Sequence, residues 1–183
     1  MEREGKESVV TQRGDLLEAL VRDHAGDLYR LAYRLCGHHE QAADLVQETF
    51  TESWRFIGSL RDEERARAWL VRILRNRWWH AQRAASRRPL TEPIPDVLPG
   101  PVTSRNPRAD DIQDALDQLD PRLREPFLLA FMEGFRCREI ATILNLPLGT
   151  VLSRIHRARQ QLKAFLVNGH DVKVRPLRKG AVQ

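Results

Sequence analysis

REIATILNLPLGTVLSRIHRARQQL, residues 138–162, is the stretch on which the fold turns. Arg138 to Leu144 predicts a short helix, Asn145 sits in a tight turn, and Gly149-Thr150 opens a longer helix reaching about Val167. That order is the helix-turn-helix pattern. Ile140, Leu144, Leu146, Val151 and Ile155 fall where the two helices share a core, and Ala141 is small where they cross closely. Asn145 takes the turn position that needs a left-handed backbone; glycine is usual there, and asparagine tolerates it. Thr150 either caps the second helix or lies in its first turn, offering its hydroxyl and free backbone N–H groups to a phosphate. The second helix carries Arg154, Arg157, Arg159 and Lys163, with His156, and no acid from Leu148 to Val167. The first turn and outer face of such a helix enter the major groove of DNA.

Upstream, residues 86–110 hold six of the chain's ten prolines (89, 93, 95, 99, 101 and 107). Proline excludes a continuous helix and favours an extended linker. After it, Asp110–Leu119 and Pro121–Met132 read as helices, the second with Phe127, Leu128 and Phe131 apolar. Before it, residues 15–85 are helical in pattern. Asp15 is a candidate cap for a helix with Leu16, Leu17, Leu20 and Val21, continued by Leu28, Leu31, Ala32 and Leu35. Cys36-Gly37-His38-His39 breaks it. A second helix has Ala42, Leu45, Val46, Phe50, Trp54 and Ile57 at helical spacing and ends at Gly58; a third runs from about Glu63 to Ala85 with Ala66, Trp69, Leu70, Ile73 and Leu74 apolar. No β signal competes. The expected fold is all-α: two small helical domains joined by a Pro-rich linker. The expected divisions are a disordered N-terminus (1–14), a first domain (15–86), a flexible linker (87–109), a helix-turn-helix domain (110–167) and a disordered basic tail (168–183) with Arg175, Arg178 and Lys179.

Two further patterns carry chemistry. Arg65 to Arg88 holds eight arginines (65, 67, 72, 75, 77, 83, 87 and 88) and no acid, interleaved with Trp69, Asn76, Trp78, Trp79 and His80. Single-stranded nucleic acid is bound this way: bases stack on rings while arginines track the backbone. Trp69 fits the apolar face, but Trp78 and Trp79 are adjacent and cannot both point inward. The stretch Glu40 to Trp54 holds the reverse charge: Glu40, Asp44, Glu48 and Glu52 recur every fourth residue with no base among them. Like charges at that spacing destabilise a helix by a few tenths of a kcal/mol per pair. A partner with a basic surface gives the stripe a purpose.

The chain has 183 residues, 30 Lys+Arg against 25 Asp+Glu and a net charge of +5, with a pI near 9.7. Arginine dominates the basic set, which favours phosphate and base-edge contacts. No apolar run approaches the roughly 20 residues of a membrane span, and the charged N-terminus lacks the apolar core of a secretory signal. Cys36 and Cys137 form no disulfide framework, and a cytoplasmic, reduced protein is expected. His38-His39 beside Cys36 lack a fourth ligand, so no metal is expected. Neither a Gly-rich phosphate loop nor a nucleophile–base pair occurs, so no catalytic residue, enzyme activity or cofactor is expected.

DLVQETFTESW (44–54), ARAWLVRILRNRWWHAQR (66–83) and the 138–162 stretch together resemble a bacterial RNA polymerase sigma factor of the sigma-70 family, extracytoplasmic-function (ECF) group, across about residues 15–167. The resemblance implies two helical domains, regions 2 and 4, and a linker threading through the core enzyme. Region 2 docks on a coiled coil of the polymerase β′ subunit and helps melt the −10 element of promoter DNA. Region 4 binds the −35 element and the β flap, and an anti-sigma factor often holds such proteins inactive. Carried over by position, Asp44, Gln47 and Glu48 bind core polymerase. Arg72, Arg75, Asn76, Arg77 and His80 bind the −10 element, with Asn76, Arg77 and His80 reading or separating strands. Thr150, Ser153, Arg154 and Arg157 bind the −35 element. Leu152 departs from the family's usual Lys or Arg, which removes a backbone contact or places an apolar group against a thymine methyl. A stand-alone helix-turn-helix regulator of the LuxR type is an alternative that leaves residues 40–88 without a role; a nucleic-acid-modifying enzyme with a basic channel is another, against which the lack of a catalytic or metal cluster argues; a divergent sigma-like regulator that binds core without initiating is a third.

Overall fold

The computed structural model describes residues 2–60, 62–87 and 107–168. Among them all regular structure is helical: α1 (Glu2–Cys36), α2 (His39–Phe56), α3 (Ala66–Arg87), α4 (Pro107–Asp117), α5 (Pro121–Phe131), α6 (Cys137–Leu144) and α7 (Leu148–Asn168). Two 3₁₀ turns, Ile57–Ser59 and Glu63–Arg65, separate α2 from α3. The C-terminal tail and most of the linker lie outside the described residues.

α1, α2 and α3 pack on one another, and α5, α6 and α4 gather around α7. Leu28, Leu31, Ala32, Leu70, Val71 and Leu74 fill the first core; Leu119, Leu128, Ile140, Leu144, Val151 and Ala158 fill the second. The two are continuous, because α1 packs on α4 and α5 while α3 packs on α6.

Four expectations need correction. The first helix starts at Glu2, not at Asp15, so residues expected to be disordered are helical. Glu, Arg, Lys and Gln are good helix formers, and the isolated glycines at 5 and 14 cost only about 1 kcal/mol each. Trp54 is 40% exposed rather than in the core. The inward face of α2 is Ala42, Leu45, Thr49 and Ser53. Its hydroxyls are satisfied locally: Thr49 Oγ1 donates to the Leu45 carbonyl (2.7 Å) and Ser53 Oγ to that of Phe50 (2.7 Å). Polar residues thus hold two core positions that apolar periodicity assigned to a neighbour. Phe131, expected on the apolar face of its helix, is 56% exposed. α4 begins at Pro107, inside the expected linker, since proline is tolerated in a first turn, where its missing N–H is not needed.

Gly37 makes the α1–α2 corner with φ +77°, and a Cβ there would lie 2.9 Å from Asp117 Oδ2. The corner therefore calls for glycine on account of its backbone, and an added Cβ would also have to displace the Asp117 carboxylate.

Candidate nucleic-acid and polymerase interfaces

The helix-turn-helix is built by local hydrogen bonds. Glu139 accepts from the Arg136 N–H (2.7 Å) at the start of α6. Asn145 ends α6 at φ 52°, ψ 52°, the left-handed conformation its side chain was expected to tolerate. Its N–H reaches the Thr142 carbonyl (3.3 Å), and that of Leu146 the Ala141 carbonyl (3.0 Å). Ile140, Ile143, Leu144, Val151 and Ile155 close the shared core, so α7 is held by one face and free on the other. Thr150, Ser153, Arg154 and Arg157 lie three or four residues apart on α7, which puts them on one stripe. Ser153 and Arg157 are exposed, and Thr150 and Arg154 half-buried. Thr150 lies in the first turn rather than at the cap. Its N–H already donates to Pro147 (2.9 Å), so the hydroxyl is what it has to offer a phosphate. Leu152 is 50% exposed beside this stripe.

α3 does not gather its five expected −10 residues onto one face. Arg72, Asn76 and His80 are exposed and four residues apart, forming a single outward row with Arg83. Arg77 points back to α2 and pairs with Glu52, which also meets Arg55 at 3.4 Å. Arg75 points toward the second domain. The tryptophans divide as adjacency requires: Trp78 is 2% exposed in the core, and Trp79 lies at the domain boundary.

On α2, Glu40, Asp44, Gln47 and Glu48 are exposed, while Glu52 is half-buried against Arg77. The stripe thus divides into three free acids and one that belongs to the fold. Cys36 lies beside Asp44 and Glu48, but burial pushes its thiol from 9.0 up to about 11, so it stays protonated and unreactive at neutral pH. No cluster of His, Cys, Asp or Glu among the described residues is arranged to hold a metal.

Charged side chains tie the domains together. Arg67 Nη2 pairs with Glu133 Oε2 (2.6 Å) and stacks over Phe135. Arg34 donates to Gln113 (3.1 Å). Arg124, 7% exposed, donates to the Leu35 carbonyl (2.9 Å) at the end of α1 and to Asp117 (2.9 Å), a cation where the helix dipole favours one. Glu125, 3% exposed, accepts from Trp79 Nε1 (3.0 Å) and lies 2.7 Å from Arg75 Nε, an ion pair off the line of a hydrogen bond. Burial pushes the carboxyls of Glu125 and Glu133 upward; the charge of Arg75 and the Trp79 hydrogen bond oppose it at Glu125, and the hydrogen bond and charge of Arg67 at Glu133. Sequence reasoning missed Arg124, Glu125 and Glu133. The signal available was slight: an Arg-Glu pair set between the apolar Leu123 and Phe127.

These parts describe a two-module helical protein with a helix-turn-helix at one end and an arginine-tryptophan helix at the other. A model described as Sigma-70 region 2 matches residues 20–88, and one described as Sigma-70, region 4 matches residues 109–162. The chain is 38% identical over 157 residues to the ECF RNA polymerase sigma factor SigE of Mycolicibacterium smegmatis, covering 81% of this chain and 61% of that protein. It is 35% identical over 158 residues to SigL of Mycobacterium tuberculosis, covering 82% and 89%. Among solved structures, the sigma factor RpoE of Bartonella quintana, in complex with the anti-sigma factor NepR, matches with a TM-score of 0.63 and 27% identity, covering 90% and 98%. The chain belongs to the sigma-70 family of RNA polymerase sigma factors, in its ECF group.

Proposed function

We propose that the chain directs promoter-specific initiation by core RNA polymerase and carries out no covalent chemistry of its own. The observation that carries this is the pairing on one chain of an exposed acid face, Asp44, Gln47 and Glu48, with an acid-free α7 whose outer stripe is Thr150, Ser153, Arg154 and Arg157. The acid face suits a basic coiled coil of the β′ subunit, for steering and register. The α7 stripe suits the −35 element, with side chains on base edges and phosphates. The row Arg72, Asn76 and His80 suits the −10 element, where an unstacked base costs a few kcal/mol that pocket contacts offset. In this conformation Arg77 is engaged on Glu52 and Arg75 on Glu125 and on Asn76 of the row, so both meet DNA only after rearrangement. The described residues include no helix long and apolar enough to cross a membrane, and the proposed location is cytoplasmic.

The groove between α4, α5 and α7 suits an anti-sigma factor. A cavity of about 870 Å³ is floored by Ile112, Leu116, Phe127, Phe131, Met132 and Leu166 and rimmed by Arg34, His156, Arg159 and Lys163. An amphipathic helix with flanking acids fits such a groove, and it explains why Phe131 is exposed.

The residue assignments separate in one experiment. Arg157→Ala weakens −35 duplex binding by about 1–3 kcal/mol, measured by fluorescence anisotropy, and Asn76→Ala leaves that binding intact but slows open-complex formation. Both variants transcribing like the parent would overturn the assignments.

A further inference from the structure

The two DNA-facing helices are joined by one buried carboxylate. Arg75 and Trp79, four residues apart on α3, converge on Glu125 of α5, and Arg75 Nη1 also donates to Asn76 Oδ1 of the outward row (3.2 Å). Trp79 Nε1 donates to Oε2 at 3.0 Å and Arg75 Nε lies 2.7 Å from Oε1. Glu125 is 3% exposed, and the Arg154 guanidinium of α7 is near enough to favour its charged form. A guanidinium and an indole N–H meeting on an oxyanion is the arrangement a nucleic-acid phosphate would receive on the same track.

We propose that Glu125 stands in for a DNA phosphate on Arg75 and Trp79, so that the free protein closes over part of its own strand-separating face until nucleic acid displaces the carboxylate. The proposal rests on α3 being the −10 helix. The cleft beside this contact supports it. Ser59, Leu60, Arg65, Trp69 and Arg72 of the first domain face Glu139 and Thr142 of α6 across about 520 Å³. The helix-turn-helix domain therefore covers the start of α3 as well as its middle. Closure of this kind is reversible by construction. The desolvation of a buried pair nearly cancels its attraction, yet removing one partner leaves an uncompensated charge.

Two measurements on the full-length chain, without polymerase, test it. Glu125→Arg places a third cation against Arg75 and Arg154, so small-angle scattering should show a larger radius of gyration while circular dichroism shows unchanged helicity. Arg75→Glu combined with Glu125→Arg restores the opposite pair and should return the compact form. Separately, Glu125→Ala should bind a single-stranded oligonucleotide of the −10 strand about tenfold more tightly than the parent. Glu18→Ala, which removes the same charge from an exposed site on α1, should not. An unchanged radius in Glu125→Arg, a double variant that stays expanded, or equal oligonucleotide affinity in the Glu125→Ala and Glu18→Ala variants would each overturn the proposal. Promoter-directed transcription by the parent is scored independently. Its absence would remove the functional conclusion while leaving the scattering result to stand or fall alone.

Discussion

Asn145 shows how one side chain serves a motif. Its φ of 52° costs most residues about 1–2 kcal/mol. Asn145→Ala should therefore lower the unfolding free energy by about that amount in urea titration, and Asn145→Gly should hold or raise it. A loss as large with glycine as with alanine would mean that the asparagine side chain, rather than its backbone, is what matters. Cys36 makes a second residue-scale prediction. Its thiol is pushed up to about 11, chiefly by burial, from an ordinary 9.0. In a Cys137→Ser background at pH 8, iodoacetamide should label Cys36 about a hundredfold more slowly folded than unfolded. Equal rates would show that the pocket beside α2 is open to solvent. Asn145 was legible from sequence because turn chemistry is local. The state of Cys36 was not, because its causes, burial and the charges of Arg124 and Asp117, lie far along the chain.

At the scale of elements, periodicity located the second-domain helices within a few residues, and its misses have physical reasons. Thr49 and Ser53 took the inward face of α2 because each hydroxyl bonds a carbonyl of its own helix, which makes a polar residue acceptable in a core. Phe131 is left outside the core, flooring a groove. The acid stripe also divided: Glu52 is spent inside the fold on Arg77, while Asp44 and Glu48 remain exposed. Asp44→Arg with Glu48→Arg should therefore abolish co-purification with core polymerase and leave helicity and −35 duplex binding unchanged. The resemblance named Arg72, Asn76 and His80 together with Arg75 and Arg77, but the pairing of Arg75 with Glu125 and of Arg77 with Glu52 was not legible, because those partners lie on other helices.

At the scale of the whole molecule, charge ties the two domains through acids that are nearly fully buried, Glu125 and Glu133. Both carboxyls are raised by burial, so the folded form holds their protons more tightly than the unfolded chain. Their contribution to stability is then fully present below the ordinary carboxylate value near 4.5 and lost as pH rises through the raised values. Thermal unfolding of Glu133→Gln should accordingly lose part of the parent's decline in Tm with rising pH; an identical slope would contradict the burial. Sequence reasoning assigned two domains and a linker, and nothing in it foretold their packing, since acids on α5 and in the turn after it read as solvated until a partner surface is placed on them. The central claim is tested most directly by core RNA polymerase mixed with the purified chain and a promoter template in a run-off assay. A discrete, promoter-dependent transcript that the Asp44→Arg, Glu48→Arg variant fails to make is the predicted result. A chain that neither co-purifies with core polymerase nor yields that transcript would contradict it.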